Sequence, residues 1–314
     1  MKIAVIDLGT NTFHLLIVEK GCKTQDTRHK TLHEESLAAK LGKGGINQKI
    51  ITDEAIERAL KVLKYFRQVI DNQGVSIENV FATGTSAVRN AENKNVFIEK
   101  VFTETGIKIR EISGNEEAEL IYFGVKEAMK IGQEISMIMD IGGGSVEFII
   151  CNDDRIFWKQ SFEIGGQRLM ERFMKTDPIS MRSVQMMDDF FREKLLPLTN
   201  AIHQYLPKVL IGSSGSFDTL IDVFQAKNSS QLADNQDVSH DLPISEFYKS
   251  YEQFLLKNRD KRMAIAGMIE LRVDMIVVAV CLIRFVLQSY EIEKIKVSNY
   301  ALKEGLMSKI LKEI

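Results

Sequence analysis

Cysteine is scarce in this 314-residue chain: Cys22, Cys151 and Cys281 lie far apart, with no Cys-x-x-Cys pair. That spacing excludes a disulfide framework and a cysteine zinc site, leaving reduced, mostly buried thiols. No apolar run is long enough for a bilayer. The most apolar stretch, residues 275–287, is bounded by Asp274 and broken by Arg284, so it reads as a buried helix. The apolar N-terminus is interrupted at Asp7 and no small-residue cleavage region follows, so no signal peptide is expected. A cytoplasmic location without membrane attachment is the expectation. Surplus charge of one sign is also missing, with 41 Lys and Arg against 43 Asp and Glu. No nucleic-acid partner is therefore expected, and any polyanion site has to be local.

The length favours two domains, and a hydrophobic content of 45% leaves room for a core in each. Residues 137–150 read Met-Ile-Met-Asp-Ile-Gly-Gly-Gly-Ser-Val-Glu-Phe-Ile-Ile. Two apolar strands flank a polar turn, so a tight hairpin is expected. Such a turn is either an ordinary glycine-rich hairpin or a cradle of free N–H groups for an anion. Asp140 and Glu147 at its rim would suit a hard cation such as Mg2+. The pattern occurs twice. In residues 2–18, aligning Asp7 with Asp140 puts Gly9 on Gly142, Thr12 on Ser145 and Ile17 on Ile150. A duplicated strand–turn–strand unit predicts two similar lobes whose turns face each other and clamp a phosphate chain with its metal.

Other stretches are ambiguous alone. Thr52 caps an expected helix to Asn72, whose Ile56, Leu60, Leu63, Phe66 and Ile70 form one buried stripe. Residues 79–91 run from a strand through Thr-Gly-Thr-Ser into a helix carrying Arg89, which is either a surface arginine or a phosphate grip. Ser113 opens a helix with Glu116 and Glu117, which serve either the helix dipole or the positioning of a water.

Taken together, Asp-Leu-Gly-Thr-Asn-Thr (7–12), Gly-Thr-Ser-Ala-Val-Arg-Asn-Ala (84–91), Ile-Ser-Gly-Asn-Glu-Glu-Ala (112–118) and Asp-Ile-Gly-Gly-Gly-Ser-Val-Glu (140–147) stand in a telling order. With Ile-Gly-Ser-Ser-Gly-Ser (211–216) and Val-Ser-Asn-Tyr-Ala-Leu-Lys-Glu-Gly (297–305), the chain resembles the exopolyphosphatase/guanosine pentaphosphate phosphatase (Ppx/GppA) family. The resemblance implies an α/β fold of two ribonuclease-H-like domains around a cleft, as in the actin/Hsp70/sugar kinase superfamily. The expected domains are residues 1–122 and 123–300, with a terminal helix at 301–314 packing back on the first.

By the same resemblance, Glu117, favoured over Glu116, would be the general base, and Asp140 would join it in catalysis. Asp140 and Glu147 would hold Mg2+, with Asp7 near the metal or its waters. Thr10, Asn11, Thr12, Arg89, Gly142, Gly143, Gly144 and Ser145 would bind phosphates, and so would Gly212, Ser213 and Gly215 in the last glycine turn. Thr10 and Thr12 replace the family's usual serines and keep the hydroxyls; the turn at 212–216 is more serine-rich than usual. Long family members continue into a helical HD-type domain. His240-Asp241 is an HD dipeptide without the surrounding ligand pattern, so His240 reads as a loop residue in a short, two-lobe member.

The expected activity is Mg2+-dependent hydrolysis of a terminal phosphoanhydride, from inorganic polyphosphate or from guanosine pentaphosphate. The competing classes are a non-hydrolytic nucleotide sensor and a sugar or acetate kinase relative. Further expectations are an amphipathic helical stretch over 179–206 interrupted or kinked near Pro197, an exposed loop over 226–243 and a solvated turn at Arg259–Arg262. Lys303, Lys309 and Lys312 are expected on a wet face. The apolar faces of 263–289 exceed what one obvious neighbour needs and favour a homodimer.

Overall fold

The computed structural model describes residues 1–24, 27–227 and 237–313. The chain begins with β1 (Lys2–Leu8), β2 (Thr12–Thr24), β3 (Thr27–Ala38), α1 (Asp53–Asn72), β4 (Val80–Gly84), α2 (Ser86–Arg89), α3 (Lys94–Thr105) and β5 (Ile109–Glu111). The helix α4 (Gly114–Ala128) leads to β6 (Ser136–Ile141), β7 (Val146–Cys151), β8 (Ile156–Phe162), α5 (Gly166–Phe173), α6 (Met181–Lys194), α7 (Leu196–Tyr205), β9 (Val209–Ser213) and α8 (Gly215–Lys227). The last elements are β10 (Ser239–Leu242), α9 (Ile244–Leu256), α10 (Arg259–Met263), α11 (Met275–Ser289), β11 (Lys294–Ser298) and α12 (Leu302–Glu313).

One strand order occurs in both sheets. The first runs β3-β2-β1-β4-β5 and the second β8-β7-β6-β9-β11, extended by β10 at the far edge. In each, three antiparallel strands continue into two parallel ones. The duplication read from Asp7 and Asp140 is thus a duplication of topology, and the expected two-sheet α/β fold is present.

Alternation along the strands fixes where everything else sits. Ala4, Ile6 and Leu8 of β1 join a core with the α1 stripe and α3, while Ile3 and Val5 face the other way. Met137, Met139 and Ile141 of β6 pack on the second lobe's own helices, while Ile138 faces away from them. The two outward faces meet a shared layer made of α4 and α12, whose Ala118, Ile121, Leu302 and Leu306 lie in one cluster with them. Asp7 continues the Ile3–Val5 face and Asp140 the Ile138 face. The period of two therefore aims both carboxylates at the layer between the sheets.

That layer is held unusually close. An added Cβ on Gly124 of α4 would stand 1.9 Å from the Ala301 carbonyl oxygen, and one on Gly305 of α12 would stand 1.8 Å from that of Leu120. Glycine is required here because the two helix backbones touch.

The helical stretch over 179–206 is interrupted near Pro197, as expected: α6 and α7 are divided at Leu195, with Pro197 in the first turn of the second where its missing N–H costs nothing. Other expectations need correcting. Within 226–243, Ser239–Leu242 is an edge strand paired with β11, and 228–236 lie outside the described residues. Arg262 is fully buried and no part of a solvated turn. Its Nε donates to Val273 O at 2.9 Å and its Nη1 to Asp177 at 2.6 Å, so the carboxylate and carbonyls replace its water. The apolar surface of α11 is covered within the chain by α5, α6, α8 and α9, which removes the reason for expecting a dimer. Cys151 and Cys281 are buried free thiols; the side chain of Cys22 lies outside the described residues. Among the described residues no helix is long and apolar enough to cross a membrane.

Candidate active site

The β1–β2 and β6–β7 turns meet across a cleft enclosing about 830 Å³ of space open to solvent. Their contact is close enough to depend on glycine. A Cβ on Gly143 would stand 2.9 Å from Asn11 Nδ2, and one on Gly144 would stand 2.6 Å from Thr10 Oγ1 and 2.5 Å from Ser86 Oγ.

Both turns have their carbonyls occupied from behind. Thr10 O accepts from Gly42 N at 2.9 Å and Asn11 O from Lys40 N at 2.8 Å. In the second turn, Gly142 O, Gly143 O and Gly144 O accept from Gly166, Gln167 and Gly165 N at 2.9, 2.8 and 3.2 Å. The N–H groups of Thr10, Asn11, Gly143 and Gly144 have no acceptor among the described residues, and all four residues line the cleft. Open N–H groups on facing turns form a cradle that can donate to an anion. Thr12 and Ser145 complete the two rims, both buried.

Asp7, Glu117 and Asp140 line the same cleft. Asp7 Oδ1 is buried without a partner. Burial and the neighbouring charges of Glu117 and Asp140 hold the Asp7 carboxyl well above the usual carboxylate range. Asp140 is fixed by its Oδ2, which accepts from Ser213 Oγ at 2.8 Å and Ser214 Oγ at 2.6 Å. Glu117 belongs to the first turn of α4, where Ser113 Oγ caps Glu116 N at 3.1 Å. The cap serves both glutamates differently: Glu116 turns out to Arg110 at 2.7 Å, whereas Glu117 points into the cleft. Glu117 Oε2 accepts from Arg89 Nη1 at 2.7 Å, and its Oε1 has no hydrogen bond among the described residues. Burial, opposed by Arg89 and reinforced by Asp140, pushes Glu117 up to about 7.

Not every expected residue reaches the cleft. Arg89 does not line it; the helix behind Thr85 is a single turn, and the guanidinium is held by Glu117, by Glu163 at 3.2 Å and by Ile112 O at 3.2 Å. Gly212 faces Phe217, whose ring would stand 2.1 Å from an added Cβ, because this glycine makes room for the core. Ser213 is buried behind Asp140, while Gly215 lines the cleft. Glu147 lies opposite Asp140 in the β6–β7 ladder and accepts from Ser161 Oγ at 2.6 Å, outside the cleft lining.

The carboxylates also bear on a metal. Among the described residues no three His, Cys, Asp or Glu stand close enough to enclose one. The expected set of Asp140, Glu147 and Asp7 is thus not a preformed cage. Mg2+ commonly takes one or two carboxylates and completes its shell with water and substrate phosphate. Asp140 and the orphaned oxygen of Asp7 fit that mode.

Sequence reasoning does not find the far end of the cleft. Arg272 lines it; its side chain has no hydrogen bond or ion pair among the described residues, and its guanidinium lies against Gly215, where a Cβ would stand 1.9 Å from Nη2. Burial lowers its pKa, which Asp218 and Asp140 partly offset. Asp218, His14 and Asn299 line the same end. Lys303, expected on a wet face, is enclosed there between Glu304 at 2.5 Å and Glu34 at 3.2 Å. Lone residues such as Arg272 and Asp218 carry no spacing signal. Lys303 has one, since it stands within the 297–305 motif.

Fold and cleft together define a two-lobed α/β protein of ribonuclease-H-like architecture with an open amide cradle between duplicated turns. Residues 21–314 match the Ppx/GppA phosphatase family, and the chain belongs to it. A crystal structure of an exopolyphosphatase from Cytophaga hutchinsonii is 47% identical with a TM-score of 0.94, covering 100% of this chain and 99% of that one. A family member from Aquifex aeolicus is 25% identical with a TM-score of 0.78, covering 100% and 98%. A bifunctional 3-dehydroquinate synthase/phosphatase from Fusobacterium nucleatum is 31% identical over 99% of this chain and 46% of its own length. A guanosine-5'-triphosphate,3'-diphosphate pyrophosphatase from Photobacterium profundum is 26% identical over 99% of this chain and 59% of its own. The chain thus spans about half the length of these two curated relatives.

Proposed function

We propose that this protein hydrolyses the terminal phosphoanhydride bond of inorganic polyphosphate. The observation that carries this reading is the pair of facing turns with open N–H groups beside the free oxygen of Glu117. The terminal phosphoryl group sits between the turns, whose amides stabilise charge on its outer oxygens. Glu117 Oε1 orients a water in line and takes its proton, while Arg89 holds the other oxygen still. The remaining phosphates extend toward Arg272 and Lys303, where an unpaired guanidinium offsets their charge. Mg2+, when bound by Asp140 and Asp7 together with the substrate, supplies further charge neutralisation. Glu147 stands opposite Asp140 on the neighbouring strand, outside the cleft lining. Guanosine pentaphosphate is the second reading, favoured by the relative named for that substrate.

Phosphate release from tripolyphosphate, long-chain polyphosphate and guanosine pentaphosphate, with and without Mg2+, tests the proposal. Preferential release from polyphosphate supports it; preference for the nucleotide favours the second reading. Binding without release from any of the three overturns hydrolysis in favour of a sensor.

Two further outcomes are expected. Glu117 must be ionised to act, so turnover should rise as pH passes upward through about 7 and then level off. A profile flat from pH 5 to 9 contradicts this. In chelator-treated protein, Mg2+ at ten times its Kd should stabilise the fold by about 1.4 kcal/mol, and Asp140→Asn should abolish that shift in thermal denaturation. An equal shift in the variant places the ion elsewhere.

A further inference from the structure

Glu163, in the connection from β8 to α5, belongs to the second lobe, yet it reaches the first. Its Oε1 accepts from Arg89 Nη2 at 3.2 Å, and its Oε2 accepts from Ser86 Oγ at 2.7 Å and Arg168 Nη2 at 2.9 Å. Arg168 also donates to Gly144 O at 2.8 Å and Ile46 O at 2.7 Å. One chain of polar contacts therefore runs from the second turn through Arg168, Glu163 and Arg89 to Glu117. Neither Arg89 nor Glu163 lines the cleft; they reach it through Glu117, through Ser86 and through Arg168 at Gly144 O.

We propose that Glu163 is a positioning residue. It holds the Arg89 guanidinium between the lobes, so that only one oxygen of Glu117 is paired and the other stays free for the attacking water. This rests on the reading of Glu117 as the base. The physical reason is competition for one fork of donors. A guanidinium frequently pairs with both oxygens of one carboxylate. With Glu163 gone, Arg89 swings to chelate Glu117 and occupies the oxygen the water needs. Because Glu163 comes from the opposite lobe, Glu117 is correctly held only when the lobes are together, and closure and chemistry become one event.

The test measures phosphate release from tripolyphosphate with Mg2+ by four variants. Glu163→Gln should lower kcat by about 10- to 100-fold with KM within about threefold. In the double variant Glu163→Gln/Glu117→Gln, kcat should stay within about twofold of Glu117→Gln, because the effect acts through that carboxylate. Glu171→Gln is the control. Glu171 also ties the lobes, through Gly44 N at 3.1 Å and Asn47 Nδ2 at 3.0 Å, but does not touch Arg89, so its kcat should stay within about twofold of the wild type. Multiplying effects in the double variant, a change confined to KM, or equal losses in Glu171→Gln would overturn the positioning role. Wild-type turnover in Glu117→Gln alone would instead sink the reading of the base.

Discussion

Replacing Glu117 by glutamine should lower kcat for phosphate release by about 10²–10⁴-fold, the range for loss of a general base, while substrate binding persists. The amide keeps the size of the side chain and can still accept from Arg89 Nη1, so the α4 N-terminus, its Ser113 cap and the cleft walls stay in place. What disappears is the capacity of Oε1 to take a proton from water. The turn amides and Arg272 do not depend on Glu117, so KM should move by less than about threefold. Of the neighbouring carboxylates, Asp140 is engaged by two serine hydroxyls, and burial with the charges of Glu117 and Asp140 raises the Asp7 carboxyl well above the usual carboxylate range. Steady-state kinetics on tripolyphosphate decide it, and turnover within a factor of about three of the wild type would disprove the assignment. Glu116→Gln is the matched control, because Glu116 is paired with Arg110 outside the cleft and should leave kcat unaltered.

Gly305→Ala should destabilise the fold by about 3 kcal/mol, although alanine is the better helix former by about 1 kcal/mol. The sign is reversed by the α4–α12 contact. The new methyl carbon would stand 1.8 Å from Leu120 O and 2.9 Å from Gly124 N, and neither is the end of a flexible side chain. The helices must separate, and they are the layer on which both sheets pack. Separation also shifts the two ends that matter for the cleft, Glu117 at the start of α4 and Lys303 at the start of α12. Urea denaturation should therefore show a lower midpoint, with kcat reduced in the protein that remains folded. Lys312→Ala, on the exposed end of α12, should change stability by less than about 0.5 kcal/mol. An unchanged or raised midpoint for Gly305→Ala would mean the helix contact is looser than described.

Stretches with a strict local period are legible in the sequence alone. The α1 stripe, the strand flanks of both Asp-x-Gly turns and the Ser113 cap follow from alternation, from the 3.6-residue repeat and from capping chemistry within a few residues. Legibility ends where partners lie far away in the chain. Arg262 reads as solvated because nothing near it in sequence reveals that Asp177 and Val273 O enclose it. Arg89 reads as a phosphate grip because Glu163, which claims it, belongs to the other lobe.

The sequence by itself determined the duplicated strand–turn–strand unit and the inward faces of Asp7 and Asp140, because these depend on backbone period, whereas the structure separates Glu117, in the cleft, from Glu116, paired with Arg110. Only the tertiary structure decided that Glu147 stands behind Asp140, that Gly212 serves Phe217 and that Arg272, Asp218 and Lys303 close the far end of the cleft. Those placements follow from how two sheets pack on one pair of helices, and that packing sums contacts between residues that no short-range pattern connects.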